Sequence, residues 1–296
     1  MRGLLSLLFL QKLRGIGTVS VNKTYIPLLE LGADFDEIVN AAKSGTGLPN
    51  EEIESARKLA EAEYKELEDR QICVITELDE EYPQRLYDLG DNRPLYLYVQ
   101  GDIHVLDGKT FGVIGTRNPS PWTLVAGKNL VQKAAELGCG TIVSGLALGC
   151  DTIGHETALA AGIPTAAVLP SGFWKIVPSQ NRELVEKIVS SGGCLISEYA
   201  PAMAAEKYTY VRRDALIAAL SDRIAVLQCG AGSTGTMQTV KEANKLKRPI
   251  GCYDCNDPEK GDFSGNRQLI DQGMASALKD TESLRELLQR HCWRKS

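Results

Sequence analysis

The sequence predicts an α/β chain: a small all-α region followed by an extended, mostly parallel sheet with helices on both faces. Three observations carry that prediction. Residues 1–70 show apolar positions at helical spacing and no strand-like run. From residue 72 onward, short continuous apolar runs alternate with segments long enough for crossover helices, the pattern of parallel strands buried on both faces. Two of those runs end in small residues that open directly into a helix, as a doubly wound sheet requires where it meets a ligand.

Taken in order, Leu4 to about Arg70 reads as helices broken at Gly15 to Gly17, Pro27, Gly32 and Gly45 to Pro49. Leu13-Arg14-Gly15-Ile16-Gly17 resembles a helix-hairpin-helix turn, whose glycines let backbone N–H groups meet a phosphate, although a plain connector accounts for it equally well. The helix from Asn50 to Asp69, with Ile53, Ala56, Leu59, Ala60, Tyr64 and Leu67 at helical spacing, closes a small domain (1–70, helix-hairpin-helix or SAM-like). Strands follow at Ile72 to Thr76, Leu95 to Val99, Phe111 to Ile114, Thr141 to Val143, Thr165 to Leu169, Cys194 to Ser197, Arg223 to Leu227 and Pro249 to Tyr253. They predict a second domain, 71–296, with an enlarged Rossmann-like sheet and a short last helix, Thr281 to Gln289.

Composition narrows the function classes. The 296 residues are 43% hydrophobic and 24% charged, enough for one large core beside a smaller domain. Leu4 to Leu10 is apolar after Arg2, but no small-residue cleavage site follows and Gln11, Lys12 and Arg14 interrupt it, so it reads as a buried first helix. No run approaches the roughly 20 apolar residues that cross a bilayer. Eight cysteines occur singly in apolar contexts, as at Cys73, Cys139 and Cys194, which suits reduced thiols in a cytoplasm. Cys252 and Cys255 form one C-x-x-C with no second pair, and His104, His155 and His291 are the only histidines, so no metal is expected. A net charge of −5 argues against coating nucleic acid by bulk charge. It leaves room for a local groove: between Ala204 and Arg248 eight cations face four anions, a run that a solvated helix face also explains.

Two strand ends carry the chemistry. In Thr141-Ile142-Val143-Ser144-Gly145-Leu146-Ala147-Leu148-Gly149-Cys150-Asp151, with His155 four residues on, a buried strand meets small residues that let backbone approach an anion at a helix N-terminus. In Thr110-Phe111-Gly112-Val113-Ile114-Gly115, then Thr116-Arg117-Asn118-Pro119-Ser120, Gly115 frees the turn and Arg117 offers a planar fork suited to phosphate. Ser120 before Pro121 caps a helix expected to run to Leu137. A tight turn with a solvated arginine would account for either segment alone. Together they predict one polar, phosphate-gripping crevice.

These residues resemble the DNA-processing protein A family of bacteria (DprA, also called Smf) from about Glu81 to Leu288. Tyr82-Pro83-Gln84-Arg85-Leu86 and Pro94 through Gly101 are similar to its lead-in to the sheet. Gly115-Thr116-Arg117 with Ser120 matches its G-S/T-R-x-x-S turn, and Ser144-Gly145-Leu146-Ala147 through Gly149, Asp151 and His155 its S-G-L-A-x-G-x-D-x-x-A-H run. Pro178 with Asn181, Ser197-Glu198, Tyr210 through Ser221 and Gly265 through Ala275 follow in the family's order. The resemblance implies a homodimeric protein of natural transformation that binds and protects single-stranded DNA and helps load the RecA recombinase, with no catalytic residue, no cofactor and no membrane contact. On that implication Gly115, Thr116, Arg117, Ser120 and Ser144, Gly145, Leu146 and Ala147 hold phosphates. Lys175, Asn181, Arg182, Arg212 and Arg213 extend the groove, and Phe173, Trp174 or Tyr210 offers a stacking face.

The chain departs from the family pattern twice. Arg213-Asp214-Ala215 stands where the family carries R-N-R, losing a cation and adding an anion. Gln228 through Thr239, with Gly232, Ser233, Thr234 and Gly235, resembles the P-G-G-x-G-T-x-x-E loop of phosphoribohydrolases, but Thr239 takes the place of their glutamate and Glu242 lies about one helical turn away. A nucleotide sensor or phosphoribohydrolase-like enzyme using the same crevice is therefore the alternative. The winged-helix domain that some relatives carry after the sheet is expected to be absent.

Overall fold

The computed structural model describes residues 3–290; His291 and the last residues of the expected second domain lie outside them. By its contacts the chain divides into two compact units, one ending at Val99 and one starting at Gln100.

The first unit holds helices α1 (Leu4–Lys12), α2 (Thr18–Thr24), α3 (Ile26–Glu30), α4 (Phe35–Thr46) and α5 (Asn50–Asp69). α1 is apolar because it is buried: Leu4, Leu7, Leu8, Phe9 and Leu10 are almost wholly covered. α4 starts at a capping box, with Asp34 accepting from Glu37 N–H and the Glu37 side chain accepting from Asp34 N–H. Strands β1 (Cys73–Thr76) and β2 (Tyr96–Gly101) then pair antiparallel, Cys73 opposite Val99 and Thr76 opposite Tyr96. This unit boundary lies beyond the one that composition suggests near residue 70. The reason is packing, since the Tyr98 hydroxyl donates to Glu63 Oε1 at 3.0 Å and the Tyr96 hydroxyl to Gln11 Oε1 at 2.5 Å, tying the hairpin to the helices.

The second unit alternates β3 (Thr110–Ile114), α6 (Pro121–Glu136), β4 (Thr141–Ser144), α7 (Cys150–Ala160), β5 (Thr165–Leu169), α8 (Arg182–Ser190) and β6 (Cys194–Ser197). It continues with α9 (Lys207–Leu220), β7 (Arg223–Val226), α10 (Thr234–Lys245), β8 (Ile250–Tyr253), α11 (Ser264–Asp271), β9 (Ser276–Leu278) and α12 (Thr281–Gln289). Its seven strands run parallel in the order β6-β5-β4-β3-β7-β8-β9. The Rossmann-like expectation holds, and the strand bounds agree to within a residue or two; β9 is the addition, a three-residue edge strand too short to announce itself.

Strands β3 to β6 step in one direction and β7 to β9 in the other, so right-handed crossovers put α6, α7 and α8 on one face and α9 and α10 on the opposite face. Phe111, Val113, Leu130, Ile142, Ile153 and Leu227 form one apolar cluster, with Leu284 and Leu287 of α12 joining it. Leu146, Leu169, Leu184, Ile188 and Leu195 form a second under α8. Among the described residues no helix is long and apolar enough to cross a membrane, and no group of His, Cys, Asp and Glu is arranged to hold a metal ion.

Candidate functional site

The strand order reverses beside β3: its successor β4 lies on one side and β7 on the other. Loops leaving the carboxyl ends of β3 and β7 go to opposite faces of the sheet, and a crevice opens between them. It is a cleft of about 660 Å³ lined by Gly115, Thr116 and Arg117 after β3, by Ala147 and Asp151 after β4, and by Gly232, Ser233, Thr234 and Gly235 before α10. Lys207, Tyr210, Val211, Arg213 and Asp214 of α9 form the remaining wall, with Thr236, Gln238 and Thr239 of α10.

The loops after β3 and β4 meet because Gly149 has no side chain. Its φ is +80°, and a Cβ there would stand 2.5 Å from Thr116 O and 2.6 Å from Arg117 O. Cys150 N–H donates to Thr116 O at 3.1 Å, and Thr116 N–H donates to Gln228 O at 2.8 Å, so both neighbours of the switch point are held to one loop. Gln228 also accepts from Ser120 N–H and from the Thr123 hydroxyl, each at 2.8 Å.

Behind the surface sits a buried charge network. Asp151 Oδ2 accepts from the N–H groups of Gly145 and Ala147, both at 3.2 Å, and lies 3.6 Å from Arg213 Nη1. Arg213 Nε is 3.3 Å from Asp214 Oδ1. Burial pushes the Asp151 carboxyl up, against the pull of Arg213 and the two N–H groups. Burial likewise pushes Asp214 up, to about 6, against Arg213. Gly145 makes room for this network, since a Cβ there would fall 1.2 Å from Arg213 Nη1. His155 is not part of the cleft surface: it is fully buried, its Nδ1 meets the Thr165 hydroxyl at 2.7 Å, and burial lowers it to about 3, so its ring is neutral.

The expected site residues therefore separate. Gly115, Thr116, Arg117, Ala147, Arg213 and Gly232 to Gly235 line the cleft. Ser120 stands outside that lining and caps α6, accepting from Thr123 N–H at 3.2 Å. Ser144 and Leu146 are fully buried, the Ser144 hydroxyl donating to Val113 O at 2.6 Å. Asn181 is buried too, and its Nδ2 donates to Leu146 O at 2.8 Å and to the Thr152 hydroxyl at 3.0 Å. These three shape the bend from behind, and the N–H groups of Gly145 and Ala147, expected to face a phosphate, are satisfied by Asp151.

The cations separate as well. Arg212 is consumed by Glu198, donating from Nε to Oε2 at 2.8 Å and from Nη2 to Oε1 at 2.9 Å. Arg213 is held by the two aspartates. Arg117 is exposed, makes no salt bridge among the described residues, and lies 5.7 Å from the Tyr210 ring centroid. A hollow of about 120 Å³ shares Arg117, Tyr210 and Arg213 and continues to Pro170 and Val177-Pro178. Lys175 and Arg182, both exposed, flank that segment without lining either space. Of the three aromatic candidates, Tyr210 is the one on the cleft; Phe173 packs on the core under α8 and Trp174 is exposed elsewhere.

The sequence named Asp151 within the bend and Asp214 as an anion added near the groove, but not their shared partner Arg213, and it gave Gln238 and Thr236 no place in the site. Asp151 and Asp214 were visible as polar residues inside apolar helical faces, the one usable signal.

An open parallel sheet with a polar cleft at its strand-order reversal, an exposed arginine without a salt bridge among the described residues and a helix N-terminus without a side-chain cap places the chain among doubly wound α/β proteins. Residues 73–289 match the sequence model of DNA recombination-mediator protein A, and the chain belongs to that family. It is similar to Protein Smf of Synechocystis sp., 32% identical over 72% of this chain and 53% of that protein, so the match spans about half of that relative. The crystal structure of DNA processing protein A from Streptococcus pneumoniae superposes with a TM-score of 0.81 at 23% identity, covering 97% of this chain and 98% of that one. DNA processing protein A from Helicobacter pylori, whose structural study concerns its single-stranded DNA binding mode, gives a TM-score of 0.65 at 28% identity over 74% of this chain and 95% of that one.

Proposed function

We propose that this chain binds single-stranded DNA through the cleft, without reading sequence and without catalysis. The observation that carries the reading is Arg117: an exposed guanidinium with no salt bridge among the described residues, set over Tyr210 at the mouth of a cleft whose opposite rim is the N-terminus of α10. No side chain caps α10, so the N–H groups of its first turn remain available to a phosphate. Arg117 supplies a fork for phosphate oxygens and Tyr210 a face for a base, a combination that tolerates any sequence. The likeness to the Helicobacter pylori protein, studied for its single-stranded DNA binding mode, supports the choice of ligand. The same reading includes a homodimer in the cytoplasm that passes its strand to the RecA recombinase, as the family resemblance implies.

The alternative is a nucleotide sensor or phosphoribohydrolase-like enzyme, favoured by one observation: about 660 Å³ suits a single small ligand. Against hydrolysis stands Thr239, buried, where such enzymes use glutamate. Fluorescence anisotropy with labelled oligonucleotides, beside a thermal-shift series with mononucleotides, separates the two. Binding that tightens with strand length and weakens steeply with salt supports single-stranded DNA. A mononucleotide response independent of length replaces that reading with the alternative. Arg117→Ala is expected to weaken DNA binding at least tenfold while leaving the melting temperature unchanged, and wild-type affinity in that variant overturns the cleft assignment.

A further inference from the structure

The sheet has a second rim, at the N-terminal ends of its parallel strands, and its charge is one-sided. A hollow of about 180 Å³ at the starts of β3 and β7 beside α12 is lined by Lys109, Arg223 and Arg285 and, among the described residues, by no carboxylate. A wider hollow of about 720 Å³ at the starts of β8 and β9 is lined by Lys247, Arg290 and the buried Arg248, with no carboxylate among the described residues. Arg223 joins the two, its Nη2 donating to Arg290 O. A chain with net charge −5 has concentrated cations at this edge.

Asp222 is buried and its carboxylate accepts from Thr110 N–H at 3.0 Å. Glu282 pairs with Arg285 at 3.3 Å, but its side chain is 67% exposed, where a pair is easily exchanged for another anion. Glu286 of α12 is exposed to solvent. Arg223 Nε and Asn244 Nδ2, on residues lining these hollows, are buried donors without a hydrogen-bond partner among the described residues.

We infer that this rim is a second phosphate-contact surface, built on Lys109, Arg223, Arg285, Lys247, Arg290 and Asn244, for the backbone of a nucleic acid strand that extends beyond the cleft. The inference rests on the single-stranded DNA reading of the cleft. β3 has 5 residues, which separates the two rims by roughly 17 Å at about 3.3 Å per residue. A strand anchored in the cleft must therefore run several nucleotides before it meets the far rim, and the contribution of this surface depends on strand length.

The test is anisotropy of the full chain with oligothymidylates of increasing length at several salt concentrations, comparing wild type, the triple variant Lys109→Gln, Lys247→Gln, Arg285→Gln, and Arg117→Ala. The triple variant is expected to bind the shortest strands like wild type and long strands about tenfold more weakly, with the slope of log K against log salt reduced by about 2, from about 0.7 per lost contact. Wild-type affinity and slope for long strands in the triple variant, with Arg117→Ala defective, overturn this inference alone and leave the rim to some other acidic partner. Wild-type binding by Arg117→Ala overturns the cleft reading instead. Equal weakening of short and long strands by the triple variant also refutes a length-dependent second surface.

Discussion

Position 145 decides whether the charge network behind the cleft can exist. A methyl group there would meet Arg213 Nη1 at 1.2 Å and Asp151 Oδ2 at 3.0 Å. Gly145→Ala must expel the guanidinium and leave Asp151 buried without its cation, a change that costs about 3 kcal/mol or more. Urea unfolding checks this, and a loss below about 1 kcal/mol would mean that Arg213 is not fixed there. Asp214 gives a prediction of opposite sign. Its folded pKa of about 6 lies above the ordinary 3.8, so its contribution to stability is complete below pH 4 and is lost as pH rises through 6. Asp214→Asn abolishes that loss and should gain about 1–3 kcal/mol over wild type at pH 8 relative to their difference at pH 4. Neutralising Asp214 also removes an anion from the wall shared with Arg117. Single-stranded DNA binding should therefore tighten in wild type between pH 7 and pH 5 and change less in the variant, as titrations at the two pH values would read.

At the scale of elements, α10 and its preceding turn carry the rim. Cβ atoms at Gly232 and Gly235 would meet nothing within 4 Å, so these glycines are not required by packing. Gly232→Asp should leave the melting temperature within about 2 °C of wild type, since surface changes of this kind stay near 0.5 kcal/mol. It should weaken DNA binding several-fold by placing a carboxylate at the uncapped helix end; unchanged affinity would remove that helix end from the interface. The strands were legible because burial on both faces leaves continuous apolar runs, as at β5 and β6, where every residue is buried. The fate of the cations between Ala204 and Arg248 was not. Arg212, Arg213 and Arg248 are spent on Glu198, on Asp151 and its own neighbour Asp214, and on Ala219 O, and all but the Asp214 contact join separate elements.

For the molecule as a whole, thiol chemistry reports on the integrity of the second unit. Burial pushes Cys139, Cys150 and Cys194 up to about 12, whereas Cys73 of the first unit is exposed. Brief alkylation of native protein near pH 8 should label Cys73 before those three, which should react only once the sheet opens. Peptide mass spectrometry reads the order, and early labelling of Cys150 would place its helix in an open state. Cys252 and Cys255 of the single C-x-x-C are both buried.

The amino-acid sequence alone determined the α/β class, nearly all strand positions, the family resemblance and the two small-residue bends, because burial, backbone freedom and capping are local demands that each residue type answers in place. Tertiary structure alone decided which charges are paired within the chain. Arg117 stays free while Arg213 and Arg212 are neutralised, and the cations of the far rim stand without lining carboxylates. Ion pairing depends on distances of a few ångströms between residues brought together from separate strand ends, and no spacing along the chain records those distances.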